Sequence, residues 1–329
     1  MKDVSVIIPT YNRAKYLDYT LAAFTLQTYT EFELIIIDDG SEDDTFDVIE
    51  KYRHHLAIKY IYQKHAGSSS ARNNGLLEAR GTYIIHIDCD RIPCRSFIEE
   101  HLRILINSDH TVSIGFKPLI LSIFNRKLRL KYPDLLDYLS KNPNKMNDII
   151  NSQEECVLFT PHDLVHDFEN IMSKSQVYVP RDNYQDVINI HTEQLHNFKF
   201  GWVMATTGNM GYSRKNAQTV KFDEKYKGWG LEDNDFSYQL FKKGFTFKFN
   251  MKAINYHQAH ERGSNERNEI ILNFKYFVEK FKSLEVFLFR HVYSGNLSIV
   301  EANSILSMVE TLPECDGHIL LKAIQNNPV

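Results

Sequence analysis

VSVIIPTYNR at residues 4–13 and GTYIIHIDCD at residues 81–90 are two apolar runs that each end in a polar cluster. A continuous apolar run is typical of a strand in a parallel sheet, because helices cover both of its faces. In such sheets, ligands bind beyond the carboxyl ends of the strands. The two polar clusters are therefore candidate parts of one binding site.

Similar runs alternate with helical patterns in the first part of the chain. Strands are predicted at 4–9, 32–37, 58–62 and 83–87, and helices at 14–27, 45–52 and 70–79. This alternation indicates an α/β domain in which helices flank a mostly parallel sheet. Asp38 and Asp39 follow the second strand and add a third polar cluster to the same edge of the sheet.

The rest of the chain follows other patterns. Residues 116–200 are rich in Asn, Asp, His and Lys, and no regular pattern extends through them. Regular structure is predicted to return at 202–213 and in a strand at 245–249. Helices are predicted at the end of the chain, at 270–288, 296–310 and 319–324.

Composition excludes several classes of protein. A net charge of −4 argues against a nucleic-acid-binding surface, and 43% apolar with 24% charged residues is ordinary for a globular enzyme. The four cysteines have no paired spacing, which favours a reducing compartment. No apolar run reaches the ~20 residues of a membrane span, and the first residues do not resemble a signal peptide. We therefore expect a cytoplasmic protein without a transmembrane segment, with a peripheral position at the inner membrane face as the alternative.

Two acidic motifs carry the candidate chemistry. Asp88 and Asp90 end a predicted strand, and carboxylates so placed can hold a divalent cation that bridges a diphosphate. The alternative is a turn or a helix cap. In GWGLEDNDF, residues 228–236, Glu232 and Asp233 begin a predicted helix, whose positive end would keep a general base ionised. The alternative is that both are ordinary acids of a first helical turn.

Four segments in order, VSVIIPTYNR, LIIIDDGSEDDT, HAGSSSARNNGL and GTYIIHIDCD, resemble family 2 glycosyltransferases with the GT-A fold. TTGNMGYSRK at 206–215 and FDEKYKGWGLEDNDF at 222–236 are similar to the galactosyltransferase-type C-terminal region. That region occurs in β-1,4-galactosyltransferases, polypeptide N-acetylgalactosaminyltransferases and bacterial chondroitin-type polymerases. The resemblance covers roughly residues 3–115 and 200–265.

The resemblance implies a GT-A nucleotide-diphospho-sugar transferase fold with a C-terminal helical tail. Its expected parts are a nucleotide-sugar-binding half (1–115), a variable acceptor-side insert (116–200), a galactosyltransferase-type acceptor and catalytic half (201–268) and a helical tail (269–329). The helices of the tail are a candidate surface for a homodimer.

The resemblance also implies a Mn²⁺ or Mg²⁺ cofactor. Asp90 is its expected ligand, while Asp88 faces the ribose or the metal shell. A histidine is expected to complete the site, and two alternatives stay open. The YHQ stretch resembles the polymerases and favours His257, whereas HERGSNERNE resembles the galactosyltransferases and favours His260.

The implied donor is a UDP-sugar. Asp39 would accept a hydrogen bond from the uracil imide, the backbone of residues 9–11 would frame the base, and Asn209 with Met210 would line the sugar pocket. Trp229, a large aromatic residue between two glycines, would stack on a sugar. The expected donor-binding residues are Pro9, Thr10, Tyr11, Arg13, Asp39, Gly67, Arg72, Asp88, Cys89, Asn209 and Trp229.

These expectations combine into one predicted activity. The chain would be an inverting, metal-dependent glycosyltransferase that moves a hexose or N-acetylhexosamine from UDP-Gal, UDP-GalNAc or UDP-GlcNAc to a saccharide-type acceptor. Asp233 is the predicted general base, and Glu232 is the alternative base or an acceptor-binding partner. A peptide, protein or secondary-metabolite acceptor is one alternative, and a non-catalytic nucleotide-sugar-binding module is another. No GxGxxG follows a strand, which argues against a dinucleotide dehydrogenase.

Overall fold

The computed structural model describes residues 2–128, 130, 132–152, 154–177, 183–261 and 265–312. The strands are β1 (Val4–Thr10), β2 (Phe32–Asp38), β3 (Ile58–Tyr62), β4 (Tyr83–His86), β5 (Arg91–Pro93), β6 (Thr111–Phe116), β7 (Leu119–Ile120), β8 (Ile123–Asn125), β9 (Glu155–Val157), β10 (Met210–Ser213) and β11 (Thr246–Gln258).

The helices of the first half are α1 (Ala14–Phe24), α2 (Thr45–Tyr52), α3 (Ser68–Glu78), α4 (Phe97–Leu105), α5 (Tyr132–Lys141), α6 (Met146–Asn151) and α7 (Pro161–His166). Those of the second half are α8 (Phe168–Ser175), α9 (Asn183–His191), α10 (Gly201–Met204), α11 (Arg214–Ala217), α12 (Glu232–Lys242), α13 (Glu266–Phe281), α14 (Leu284–Tyr293) and α15 (Ile299–Glu310). A 3₁₀ turn spans Pro143–Lys145. No helix within the described ranges is both long and apolar enough to cross a membrane.

Within the described residues, one nine-stranded sheet forms the centre of the fold. Its order is β3-β2-β1-β4-β10-β6-β11-β5, and β7 pairs with β11. The pairings β1–β2, β2–β3, β1–β4, β6–β11 and β7–β11 are parallel, whereas β10 is antiparallel to both of its neighbours and β5 is antiparallel to β11. The predicted mostly parallel sheet flanked by helices is thus confirmed.

The first strand shows why its sequence is apolar throughout. Val6 and Ile8 pack into the hydrophobic core on one face of the sheet, and Ile7 packs into the core on the other face. All three side chains are fully buried. Burial on both faces removes the apolar–polar alternation that a half-exposed strand would show.

Strand register brings the polar clusters together. Thr10 at the end of β1 pairs with Asp38 at the end of β2, and Ile7 pairs with His86 at the end of β4. The segments that follow these three strands therefore leave the sheet at one edge. Strand β11 reaches the same region, because His257 pairs with Arg91 of β5.

Two predicted elements differ from the structure by more than a few residues at one end. The predicted helix at 270–288 is in fact two helices, α13 and α14. Lys282 adopts a left-handed conformation (φ 48°) after α13, and the Ser283 side chain accepts a hydrogen bond from the Val286 N–H to cap α14. The predicted strand at 245–249 is part of the longer β11, which continues to Gln258. The helix predicted at 319–324 lies outside the described residues.

Residues 116–200 contain short elements that pack on the main sheet. Strand β7 pairs with β11, and β8 and β9 form a separate antiparallel pair. The Tyr19 hydroxyl of α1 donates a hydrogen bond to the Phe159 carbonyl just before α7. This contact ties the segment to the first helix of the chain.

Candidate active site

Asp90, His257 and His260 form a cluster that could hold a metal ion. One ligand atom from each lies within 4.8 Å of the others. The Asp90 Oδ2 is 2.9 Å from the Nε2 of His260 and 3.6 Å from the Nε2 of His257. The Nδ1 of His260 lies 2.7 Å from the Glu261 carbonyl, a second contact that fixes the ring orientation as in many metal sites.

The electrostatics of this cluster fit a cation. Burial opposes ionisation of Asp90, but His257, His260 and Arg91 outweigh it and hold the Asp90 pKa well below its usual value. Burial, followed by the Arg91 charge, lowers the pKa of His257 and so favours the neutral imidazole that a metal requires. The Asp90 Oδ1 is buried and has no hydrogen-bond partner among the described residues. Because a buried carboxylate oxygen normally has a partner, this atom is a suitable ligand for Mn²⁺ or Mg²⁺.

Asp88 lies between two arginines. Its Oδ1 is 3.1 Å from the Nη2 of Arg72, and its Oδ2 is 3.6 Å from the Nε of Arg91. The Nε atoms of both arginines are buried without a hydrogen-bond partner in the described part of the chain. These N–H groups could donate hydrogen bonds to the oxygens of a phosphate, an anion for which arginine is well suited. The sequence analysis missed Arg91, although it directly follows the Asp-Cys-Asp motif.

Arg72 connects this cluster to the acids of α12. It is 6% exposed, and its Nη1 lies 3.1 Å from the Glu232 Oε1. Burial lowers the Arg72 pKa, but Asp88, Glu232 and Asp233 raise it to a net value above normal, so the guanidinium stays charged. The Ser68 hydroxyl, which the sequence analysis also missed, donates to the same Glu232 oxygen at 3.2 Å.

Asp233 differs from Glu232 in its surroundings. Leu231, in a left-handed conformation (φ 73°), precedes α12 and places both acids in its first turn. The Asp233 Oδ1 accepts a hydrogen bond from the Asn234 N–H at 2.7 Å. Burial, with a further contribution from Glu232, raises the Asp233 pKa to about 7. A carboxylate with such a pKa can both hold and release a proton at neutral pH.

The Asp39 side chain, which follows β2, accepts hydrogen bonds from the loop after β3 and so stabilises that loop. Its Oδ1 accepts hydrogen bonds from the Gln63 side chain at 2.6 Å and the Ala66 N–H at 2.8 Å. Its Oδ2 accepts from the Gly67 N–H at 2.9 Å and lies 2.9 Å from the His65 Nδ1. The carboxylate is 4% exposed, so protein donors already surround the group that was expected to face a base.

An exposed aromatic pair lies next to this loop. The rings of Tyr11 and His65 stack with their centroids 4.2 Å apart and an interplanar angle of 25°. Tyr11 is 44% exposed, which leaves this pair open to a ligand. Sequence reasoning assigned Tyr11 only a backbone role and gave His65 none, although His65 begins the HAGSSSARN motif. Gly67 has a φ of +98° before α3, which glycine adopts without strain.

The structure corrects the expectation for the Asn209 side chain. The residue is fully buried, and its Oδ1 lies 2.8 Å from the Nε2 of His101. Its Nδ2 donates to the carbonyls of Phe116 and Ala253. Because these bonds use both ends of the amide, the side chain supports the fold rather than lining an open pocket. Met210 is likewise fully buried in the core.

The remaining predicted donor-binding residues differ in their exposure. Thr10 is buried and Pro9 and Arg13 are half-buried, while Arg13 lies over the ring of Tyr16 at 5.9 Å. Cys89 is buried, and burial raises the pKa of its thiol, so the thiol is unreactive. Trp229 is 44% exposed.

Comparison with known proteins identifies the class. Residues 5–159 match the family model of glycosyl transferase family 2, and residues 190–261 match the N-terminal domain of galactosyltransferase. These matches confirm the resemblance to family 2 glycosyltransferases that the sequence motifs predicted, and the prediction that the chain is a glycosyltransferase is confirmed.

Among its relatives is a chondroitin synthase from Escherichia coli, which is 29% identical over 274 residues. The match covers 80% of this chain but 36% of the relative, so the chain spans about a third of that protein.

Solved structures share the fold. Staphylococcus aureus TarS 1–349 in complex with UDP-GlcNAc is 20% identical, with a TM-score of 0.54 over 89% of this chain and 73% of that one. The mannosyltransferase PcManGT from Pyrobaculum calidifontis in complex with GDP-Man and Mn²⁺ is 14% identical, with a TM-score of 0.55 over 98% of this chain and 79% of that one. The predicted GT-A fold is thereby confirmed.

Proposed function

We propose that this chain is an inverting, metal-dependent glycosyltransferase that moves a hexose or N-acetylhexosamine from a UDP-sugar to a saccharide-type acceptor. The observation that carries the proposal is the link through Arg72 between two kinds of group. On one side, Arg72 contacts Asp88, which lies beside Asp90, His257 and His260; we call these three residues the metal-type cluster. On the other side, Arg72 contacts Glu232, which is next to Asp233, whose pKa is about 7.

Several groups support a nucleoside diphosphate as part of the donor. The exposed Tyr11–His65 pair offers a stacking surface for a base, and the Asp39 loop lies beside it. The Nε–H groups of Arg72 and Arg91, which have no hydrogen-bond partner among the described residues, could donate to the diphosphate. Uridine is our choice of base; one fold neighbour is in complex with UDP-GlcNAc and another with GDP-Man, so both nucleotides belong in the test.

Asp90, His257 and His260 would hold Mn²⁺ or Mg²⁺, and the ion would stabilise negative charge on the leaving diphosphate. Asp90 would contribute the charge, and its buried Oδ1 has no hydrogen-bond partner among the described residues, although the Arg91 Nε lies 3.7 Å away. The Asp88 carboxylate offsets the positive charges of the two arginines, and phosphate oxygens would replace it there when the donor binds.

Asp233 would act as the general base. The acceptor hydroxyl oxygen attacks the anomeric carbon of the donor sugar while its proton passes to the Asp233 carboxylate. The bond from the anomeric carbon to the β-phosphate oxygen breaks, and the electron pair leaves with UDP. One displacement of this kind inverts the anomeric configuration. Glu232 is the weaker candidate, because Arg72 and Ser68 already use its Oε1.

The exposed Trp229 supports a saccharide acceptor, since an indole ring can stack on the apolar face of a sugar. A peptide, protein or secondary-metabolite acceptor is the alternative within the same chemistry. A cytoplasmic location and a homodimer through the C-terminal helices stay predictions.

The test is UDP release from UDP-Gal, UDP-GalNAc, UDP-GlcNAc and UDP-Glc, each with Mn²⁺ or with EDTA, and with GDP-Man as the control nucleotide. We expect release from one UDP-sugar only when Mn²⁺ is present. Binding of a UDP-sugar without release under any condition would instead support a non-catalytic module. Release from GDP-Man alone would overturn the uridine assignment.

A further inference from the structure

Helix α13 lies beyond both ranges that match known families, yet one of its faces contacts the segment that carries the catalytic acids. Glu269, Asn273, Tyr276 and Lys280 are spaced four, three and four residues apart, which puts them on one side of the helix. Each of these side chains bonds to residues 223–235. We call these four residues the polar face of α13, and residues 223–235 the acid segment.

The first part of the polar face holds the loop around Trp229. The Asn273 Nδ2 lies 3.1 Å from the Lys227 carbonyl, 3.2 Å from that of Trp229 and 2.9 Å from that of Gly230. The Glu269 Oε2 accepts a hydrogen bond from the Trp229 N–H at 2.8 Å. Asn273 is 6% exposed, so its amide has little water to bond instead.

The second part of the polar face holds the two ends of the acid segment. The Lys280 Nζ is 2.7 Å from the Asp223 Oδ2 and 2.6 Å from the Asp235 Oδ2. The Tyr276 hydroxyl also donates to Asp223, at 2.7 Å. Asp235 is fully buried in the first turn of α12, two residues beyond Asp233.

The acid segment needs such support. Gly228, Gly230 and Leu231 all have a positive φ, of 68°, 97° and 73°. The left-handed backbone conformation is unfavourable for a residue with a Cβ, so the local sequence alone does not hold Leu231 there. The packing is also close, since a Cβ on Gly230 would lie 2.4 Å from the Ile270 side chain of α13.

We propose that the polar face of α13 positions the acid segment, so that Trp229 is held at the surface and Asp233 is aimed at the acceptor site. Asn273 and Glu269 are positioning residues and do not touch the substrate. The roles of Trp229 and Asp233 in sugar transfer rest on the proposed function, but the placement of Trp229 by α13 does not.

The two tryptophans of the chain allow a direct test. Trp202 is fully buried and Trp229 is 44% exposed, so Trp202→Phe leaves Trp229 as the single fluorescent reporter. In that background we compare Asn273→Asp with Asn268→Asp. Both add one negative charge to α13, but Asn268 is exposed whereas Asn273 loses its donors to three carbonyls.

We expect Asn273→Asp to raise the acrylamide quenching constant of Trp229 about twofold, because a released loop exposes the other half of the ring. Asn268→Asp should leave it unchanged. If Asn273→Asp fails to fold, Glu269→Ala, at a half-buried position, replaces it in the comparison with the control. If Trp202→Phe itself fails to fold, Trp202 can be kept, because a fully buried tryptophan is inaccessible to acrylamide. Equal quenching constants in the position-273 or position-269 variant and in the control would overturn the proposal.

A kinetic measurement separates positioning from general loss of structure. With the UDP-sugar that the wild type hydrolyses, the Asn273 or Glu269 variant should lose about tenfold in kcat, equivalent to ~1.4 kcal/mol, with the donor KM unchanged. A fall in kcat that is matched by the Asn268→Asp control would overturn the positioning role. If the wild type releases no UDP from any donor, the proposed function fails, whereas the quenching comparison still tests the placement of Trp229.

Discussion

Glu232 and Asp233 are adjacent, but their charges are balanced differently. Glu232 accepts hydrogen bonds from Arg72 and Ser68, whereas Asp233 accepts one from the Asn234 N–H, and the loss of solvation at its half-buried position raises its pKa to about 7. We predict that Asp233→Asn lowers turnover by roughly 10²- to 10⁴-fold, the usual contribution of a general base. Donor affinity, measured by calorimetry, should stay within about twofold, since less than ~0.5 kcal/mol of binding is then involved. A variant that keeps wild-type turnover would exclude Asp233 as the base.

The same group makes stability depend on pH. In the unfolded chain Asp233 loses its proton near the ordinary pKa of 3.8, but in the folded protein it does so only near 7. The folded state therefore binds more protons between these values, so the contribution of Asp233 to stability falls as pH rises from about 4 to 7. We predict that Asp233→Asn unfolds at a higher temperature than the wild type at pH 8, and that this difference shrinks towards pH 4. A difference independent of pH would contradict the raised pKa.

Asn209 allows a test between a structural and a donor-binding role. Its amide bonds His101, Phe116 and Ala253 inside the protein. We predict that Asn209→Ala destabilises the fold by about 2–4 kcal/mol, because buried partners lose their hydrogen bonds. Chemical denaturation measures this change. The donor KM, measured at a temperature at which the variant is still folded, should stay near the wild-type value. A large rise in KM without a loss of stability would restore the donor-binding role.

The break between α13 and α14 depends on Lys282. This exposed residue has a φ of 48°, a conformation that costs a non-glycine residue about 1 kcal/mol. We predict that Lys282→Gly stabilises the protein by up to about 1 kcal/mol, whereas Lys275→Gly at an exposed position inside α13 destabilises it by a similar amount. Thermal unfolding of both variants gives the comparison. Destabilisation by Lys282→Gly would show that the left-handed residue is not what separates the helices.

Local sequence patterns predicted the bounds of helices and strands well where an apolar pattern has clear polar ends. Helix α2 and strand β3 have the predicted bounds, because each apolar pattern ends in polar residues. The α13–α14 break was missed because Phe277, Phe281 and Leu284 continue the helical spacing across it. Only the Ser283 cap and the backbone of Lys282 interrupt that spacing, and neither changes the apolar pattern.

The candidate site was predicted in part for the same reason. Asp90 and Asp233 stand in motifs with recognisable local sequence, but their partners come from elsewhere. Arg72 meets Glu232 across 160 residues, a contact that no local pattern specifies. The burial of Asn209 and the full set of donors around Asp39 also depend on tertiary packing, which determines whether a polar side chain faces a ligand or the protein.

The two matched ranges contribute different halves of one site. The range 5–159 supplies Asp90 after β4, and the range 190–261 supplies His257 on β11 together with the acids of α12. The sheet joins them, since β10 lies between β4 and β6, and β11 follows. A ligand that bridges the metal-type cluster and the arginines therefore binds the folded protein and has no equivalent site in the unfolded chain.

A ligand that binds the folded state but not the unfolded chain stabilises the fold. A ligand at 100 times its dissociation constant stabilises the folded state by about 2.7 kcal/mol. We predict that Mn²⁺ and UDP together raise the unfolding temperature by several degrees, and that EDTA removes most of this rise, because Asp90 and the two histidines would hold the ion and the ion would stabilise the charge of the diphosphate. Asp90→Asn, His257→Ala and His260→Ala should each reduce the Mn²⁺-dependent rise, whereas His162→Ala, which removes an exposed histidine of α7, should not. If UDP raises the unfolding temperature equally with EDTA and with Mn²⁺, then nucleotide binding does not require the ion, and the arginines beside Asp88 must hold the diphosphate without it.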